Sequence, residues 1–166
     1  MEEKLELRMY GLVPYNISPI QQGIQFGHAV VDYGLQHGMT EQYLDWAQNW
    51  KTFIILNGGT TNDNPKWLGT LNQHAQTLGE MNIPTSCFYE PDLGDQLTGV
   101  VFLVDERIFN KEKYPYFEFK IRKQLDLNNP TFVDDVEKLE WEKWVESIGG
   151  MDNLRFRNFL LPFKLA

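Results

Sequence analysis

Apolar residues recur along this chain with two periods, and their alternation lays out an α/β domain. Residues 4–14, KLELRMYGLVP, alternate like a strand, with Leu5, Leu7 and Met9 on one face and Pro14 at the end. The stretch 16–35, NISPIQQGIQFGHAVVDYGL, switches to a helical period. Ile20, Ile24, Gly27, Val31 and Leu35 recur at spacings of three or four and predict one stripe packed on a core. Ser18 is placed to cap this helix and Pro19 to fill its first position, where a missing N–H costs nothing. Gly23 and Gly27 lie on or beside the stripe. A glycine inside a helix is unfavourable by about 0.5–1 kcal/mol relative to alanine, so the pair predicts close approach of another backbone. Gly34 and Gly38 end the pattern.

The rest of the chain continues the alternation. Thr40 caps a second short helix, EQYLDWAQNW, with Tyr43, Leu44 and Ala47 inward. The apolar run 51–56, KTFIIL, predicts a central buried strand. NGGTTNDNP is a loop by its local chemistry, and Gly58-Gly59 lacks the spacing of a phosphate-cradling loop. Residues 66–81 read as a helix with Leu68, Leu71, Ala75 and Leu78 inward, and 85–89 as a short strand with Cys87 as a small buried hydrophobe. After the turn EPDLGDQ, residues 97–104, LTGVVFLV, form a second fully apolar strand. The order β-α-α-β-α-β-β predicts an α/β fold, a small four-stranded mixed sheet covered by helices on both faces.

From about Asp105 the chain turns charged and aromatic, which divides it into a domain over 1–105 and a C-terminal helical, aromatic extension over 106–166. Within the extension, Asn128-Asn129-Pro130 is a break and 133–148 an acidic amphipathic helix with Val136, Trp141, Trp144, Val145 and Ile148 inward. Gly149-Gly150 closes that helix, and the apolar tail LRFRNFLLPFKLA is predicted to pack back as a strand or clasp.

Charge and composition narrow the partners. The 166 residues carry 23 acidic and 15 basic side chains, a net charge of −8, which argues against an unspecific grip on a nucleic-acid backbone. The single cysteine rules out an internal disulfide, no run approaches the ~18 apolar residues of a membrane helix, and the start MEEKLELRMY is not a signal peptide. A cytoplasmic protein with no membrane partner is expected. His28, His37 and His74 fall on separate elements without metal-ligand spacing, so neither a metal nor a cofactor is expected.

Two stretches taken together resemble the class II peptidyl-tRNA hydrolase family. In SPIQQGIQFGHA, residues 18–29, Ser18, Pro19, Gln25, His28 and Ala29 fall in register with that family's first-helix motif. YEPDLGDQLTGV, residues 89–100, is similar to its Asp-Ala-Gly-x-Thr-Gln turn, with Asp92 and Gly94 in place. The resemblance covers about residues 4–104 and implies the same fold, a site at the start of the first helix, and a homodimer. It also implies where the chemistry is lost. The family's lysine, implicated in hydrolysing the ester between peptide and tRNA, is Gln21 here, and its turn threonine is Gln96. Losing a preorganised charge of that kind commonly raises a barrier by about 2.7–4 kcal/mol.

The candidate site residues follow from both readings. Asp92 is either a general base, if hydrolysis survives, or a turn-forming aspartate. Ser18, Gln21, Gln25, His28, Asp92, Gln96 and Thr98 are the candidate ligand contacts, with His28 read as structural rather than as a catalytic base. In the extension, Lys111, Lys120 and Arg122 belong to a basic run interleaved with Tyr114, Tyr116, Phe117 and Phe119, a pattern that suits phosphate and base contacts or simply a solvated charged face.

The functional expectation is a catalytically degenerate relative of the hydrolase that binds a small nucleotide-type ligand. A stripped housekeeping fold with a new covering segment would suit a viral protein that sequesters a nucleotide signal. Two alternatives stand beside it. One is an active peptidyl-tRNA hydrolase with tRNA as partner. The other is a protein-interaction module working through the Trp-bearing helix 133–148.

Overall fold

The computed structural model describes residues 3–166. Residues up to Val104 together with Phe163–Ala166 form one compact unit, and Asp105–Pro162 form a second. The first unit is built on four strands, β1 (Leu7–Pro14), β2 (Thr52–Gly59), β3 (Thr85–Glu90) and β4 (Gln96–Asp105), in the order β2-β1-β4-β3. β1 and β2 run parallel while β3 and β4 run antiparallel, so the sheet is mixed and the α/β reading holds.

Helices cover both faces. Side chains alternate along a strand, and on β1 Leu7, Met9 and Val13 join a cluster with Phe26, Ala29 and Tyr33 of α1 (Pro19–His37). On the other face, the space beside Gly58 of β2 is filled by Leu12 and by Leu71 of α3 (Thr70–Glu80). β4 is buried along nearly its whole length, as a central strand flanked on both faces should be.

The start of α1 is as the sequence predicts, but its rotation is not. Ser18 caps the helix through a reciprocal box: its hydroxyl accepts from the Gln21 backbone N–H, and the Gln21 side-chain oxygen accepts from the Ser18 N–H. The buried face consists of Gln25, Phe26, Ala29 and Tyr33. Ile20, Ile24, Val31 and Leu35, expected in the core, are 76%, 49%, 65% and 82% exposed. The reason lies in the sheet. Gly11 and Gly99 leave hollows where the Phe26 ring and the Ala29 methyl and Gln25 backbone settle; a Cβ on Gly99 would stand 2.8 Å from the Gln25 carbonyl oxygen.

Other elements differ at their ends and edges. The second helix is short, α2 (Glu41–Asp45), and passes into a π-helical turn over Trp46–Trp50 that ends at Lys51 in the left-handed region. That widening carries Trp46 inward, while Leu44 stays 41% exposed. β2 is an edge strand rather than a central one, and it extends through Gly58 and Gly59. α3 starts at Thr70, not Lys66, because the preceding loop is held by Thr60 and Thr70 through a 2.8 Å bond from the Thr60 N–H. The tail divides into α6 (Met151–Leu160) and a last short segment that covers the β2 edge. There the Asn57 N–H donates to the Lys164 carbonyl at 2.9 Å and the Ala166 N–H to the Ile55 carbonyl at 3.0 Å. A clasp of this kind occupies backbone groups that would otherwise invite pairing with another chain.

The second unit contains α4 (Glu106–Phe109), α5 (Asp135–Ser147) and α6. Trp141, Val145, Ile148 and Leu154 form its core, with Phe117, Phe119, Phe132 and Trp144 packed against it. Val136, expected inward, is 62% exposed. The turn between α5 and α6 needs Gly149 and Gly150, whose φ values of 102° and 96° other residues rarely adopt. Glu137 is the buried anchor, only 1% exposed. Its carboxylate accepts from the Lys120 N–H at 2.6 Å and the Val133 N–H at 2.8 Å, tying the irregular 120–133 segment to α5. Hydrogen bonds to a charged group contribute about 1.5–3 kcal/mol each. Glu137→Ala is therefore expected to destabilise this unit by about 3 kcal/mol or more, read as the shift of its denaturation midpoint in urea.

Candidate functional site

The expected site residues fall into two groups, one in each unit. In the first unit Gln25, His28, Glu90, Gln96 and Thr98 gather on the α1 side of the sheet. A β-bulge makes this possible. Phe88 pairs with Gly99 and Tyr89 with Leu97, leaving Thr98 as the extra residue on β4, turned toward α1. Its hydroxyl donates to Gln25 Oε1 at 2.7 Å, and Gln25 Nε2 donates to Glu90 Oε2 at 2.7 Å. Thr98 and Gln25 are both buried, at 0% and 7% exposure. His28 lies at the rim, with Nδ1 4.0 Å from Glu90 Oε2 and its ring against Phe88 at 4.6 Å.

Glu90 is the carboxylate that sequence reading missed. It stands two residues before Asp92, and its Oε1 accepts the Asp92 N–H at 3.2 Å, so it caps the turn Pro91–Leu93. The Gln25 amide, then the Asp92 N–H and more weakly His28, hold its pKa below the ordinary carboxylate value. Asp92 itself is exposed on that turn. The only signal for Glu90 in the sequence is its place before Pro91, where the chain must be extended and able to cap a turn.

The structure limits what this group can do. The Gln21 side-chain oxygen accepts from the Ser18 N–H and so closes the capping box at the start of α1. Both polar ends of Gln25 are bonded inside the protein. Gln96 sits opposite Glu90 in the ladder, with its Oε1 buried and without a hydrogen-bond partner among the described residues. The Cys87 thiol is pushed up by burial, away from nucleophile behaviour.

The second group is built differently. Tyr116, Phe117, Phe119, Trp141, Trp144 and Leu161 wall a cavity of about 250 Å³ within Asp105–Pro162. Phe117 and Phe119 also border a groove completed by Glu118, Lys120 and Arg122. Two of the three predicted basic residues thus stand beside an aromatic chamber. Lys120 Nζ lies 3.6 Å from an Asp134 oxygen, both side chains about half exposed. The third, Lys111, sits 5.1 Å from the centroid of the Tyr116 ring.

Arg157 supports the chamber from inside. It is 2% exposed, and its guanidinium carbon lies 4.7 Å from the Tyr116 centroid and 5.7 Å from that of Trp144. Its terminal nitrogens donate to the carbonyls of Arg107 at 3.0 Å and Tyr114 at 2.6 Å. Burial pulls its pKa down from the ordinary arginine value. In the sequence Arg155 and Arg157 read as a second basic clamp in the tail; the structure buries Arg157 instead. Trp144 Nε1 donates to the Pro115 carbonyl at 2.8 Å, fixing that ring as well.

No protein-family model matches the chain, and the search of curated proteins returns no match. Among the described residues, no cluster of histidine, cysteine and acidic side chains has the makings of a metal site. No helix among them is long and apolar enough to cross a membrane.

The Glu90 network has a pH signature. A carboxylate whose pKa is depressed on folding adds stability above its unfolded pKa and loses it as pH falls through the folded value. The stability difference between the natural protein and Glu90→Gln should be greatest above that pH and shrink below it, as read from thermal melts across the acid range. A constant difference would show that Glu90 acts through shape alone.

Proposed function

We propose that this protein binds a small, planar, anionic ligand of the nucleotide type and does not turn it over. The observation that carries the reading is the aromatic chamber beside Lys120 and Arg122. Aromatic walls suit the face of a base, which gains about 1–3 kcal/mol from each stacking partner, and neighbouring cations suit its phosphate. A cavity of about 250 Å³ is smaller than the ~300–1,000 Å³ of a typical ligand pocket, so it takes one ring system and leaves the charged end outside. The net charge of −8 favours such a compact ligand over a long polyanion.

The likeness to peptidyl-tRNA hydrolases enters this reading as a disarmed scaffold. Ester hydrolysis needs a group to stabilise the developing oxyanion, and at the relevant helix start Gln21 is neutral and already bonded to Ser18. A binder without turnover acts by holding its ligand, the behaviour of a viral protein that sequesters a nucleotide signal. The interaction-module alternative has little support, because Trp141 and Trp144 pack within their own unit.

Two measurements test the reading. Titration with mononucleotides and cyclic dinucleotides, followed by tryptophan fluorescence and calorimetry, should give saturable binding. Tyr116→Ala and the double change Lys120→Ala with Arg122→Ala should each weaken it by about tenfold or more. No binding across the panel would remove the reading. In single-turnover assays the natural protein should leave peptidyl-tRNA uncleaved; cleavage well above background would restore the hydrolase alternative and make Asp92 and Glu90 the residues to mutate.

A further inference from the structure

β2 is an edge strand, and the tail covers its open side only in part. The tail lies antiparallel on it, with Leu165 opposite Leu56. Two main-chain bonds tie it down, from the Asn57 N–H to the Lys164 carbonyl and from the Ala166 N–H to the Ile55 carbonyl. Main-chain groups of alternate residues point to the same side of a strand. Phe53 therefore faces the same way as Ile55 and Asn57, yet no main-chain bond joins it to the tail. The side chains are held as loosely. The rings of Phe163 and of His74 on α3 meet edge-on with centroids 4.7 Å apart, while Leu165 is 73% exposed.

We propose that this edge is a strand-addition site for a partner protein, filled in the unbound chain by its own tail as a weak substitute. The partner supplies an extended, basic segment with an aromatic residue and, two positions later, a leucine. Strand addition draws affinity from main-chain bonds and specificity from alternate side chains. The tail is the template for both: Phe163 and Leu165 alternate along it, Phe163 is set against α3, and Lys164 stands between them.

Three observations favour a partner's segment over the tail as the better occupant. The first is length. A segment that continues two residues past the position of Ala166 reaches Phe53 and makes main-chain bonds there that the tail does not. The second is exposure, since Leu165 gives up little buried surface when the tail lifts off. The third is charge. A net charge of −8 attracts a basic segment and repels a second copy of the chain, and the tail itself sets a lysine at this edge. The edge and the tail residues Phe163–Ala166 belong to the first unit, so the proposal is independent of the aromatic chamber.

The probe is a fluorescent peptide with the sequence of residues 161–166, LPFKLA, extended by Val-Thr and amidated so that its last residue reaches Phe53. In the natural chain it competes with a tail held at an effective concentration of about millimolar, so binding is weak. Ala166→Pro removes the N–H that bonds Ile55 and loosens the tail. Fluorescence anisotropy should show saturable binding, tighter for Ala166→Pro than for the natural chain by about tenfold or more. Amide exchange then locates the peptide. The Asn57 N–H should lose protection in the variant and regain it with peptide, and the Phe53 N–H should become protected only when peptide is bound. Phe163→Ala, which removes the ring contact with His74, opens the edge by a second route and should tighten binding in the same direction.

No saturable binding to either variant overturns the proposal. So does binding that leaves the Phe53 amide unprotected. A variant that dimerises in sedimentation velocity, with that amide protected before peptide is added, would make a second copy the occupant and overturn it as well.

Discussion

The rotation of α1 on the sheet is the constraint on which the first unit depends. The helix has two apolar sides and buries the one with less branched hydrocarbon. Strand glycines decide this, because Gly11 and Gly99 offer hollows that Phe26 and the Gln25–Ala29 turn fill closely. The buried amide of Gln25 reinforces the choice by serving Thr98 and Glu90 at 2.7 Å each. Turning the helix round would leave those groups without partners, at about 1–3 kcal/mol for each buried polar atom stranded. Close packing of ring on glycine and complete hydrogen bonding together outweigh the greater area of the stripe left outside.

That rotation also fixes how the polar groups near the start of α1 are used. Ser18 and Gln21 bond to each other, Gln25 is bonded at both ends, and the carboxylate that Gln25 bonds is Glu90 rather than Asp92. The group rigidifies the junction of α1, β3 and β4. With Gln25 bonded at both ends and Glu90 bonded to Gln25 and to the Asp92 N–H, the polar atoms of the group serve one another, Gln96 Oε1 excepted.

There the organising feature is a buried cation among rings. Arg157 keeps its charge through two carbonyl acceptors and the faces of Tyr116 and Trp144, and in return it holds those rings in place. Glu137 does the corresponding work for the irregular segment, taking two backbone N–H groups that would otherwise be buried unpaired. Two opposite buried charges, each bonded to backbone groups, thus shape a chamber from a stretch with little regular structure.

Much of the fold was legible along the chain because it rests on local rules. Strand alternation in β1, the unbroken apolar run of β4, the Ser18-Pro19 helix start and the Gly149-Gly150 turn depend on residues within a few positions of one another. The four-stranded mixed sheet with helices on both faces followed from their order. Periodicity could not tell which of two apolar sides of α1 faces inward, since that depended on Gly11 and Gly99, distant in sequence and visible only as hollows once the strands pair. Nor could it place β2 at an edge, where only the returning tail shows that its backbone is covered. Glu90 was hidden for the same reason, and Arg157 read as a tail clamp rather than a buried support: the worth of a polar side chain depends on partners brought by other elements. Sequence by itself determined which segments are helices and strands and in what order; tertiary packing decided which of their faces are buried, because complementarity of shape and hydrogen bonding belongs to pairs of surfaces rather than to either one.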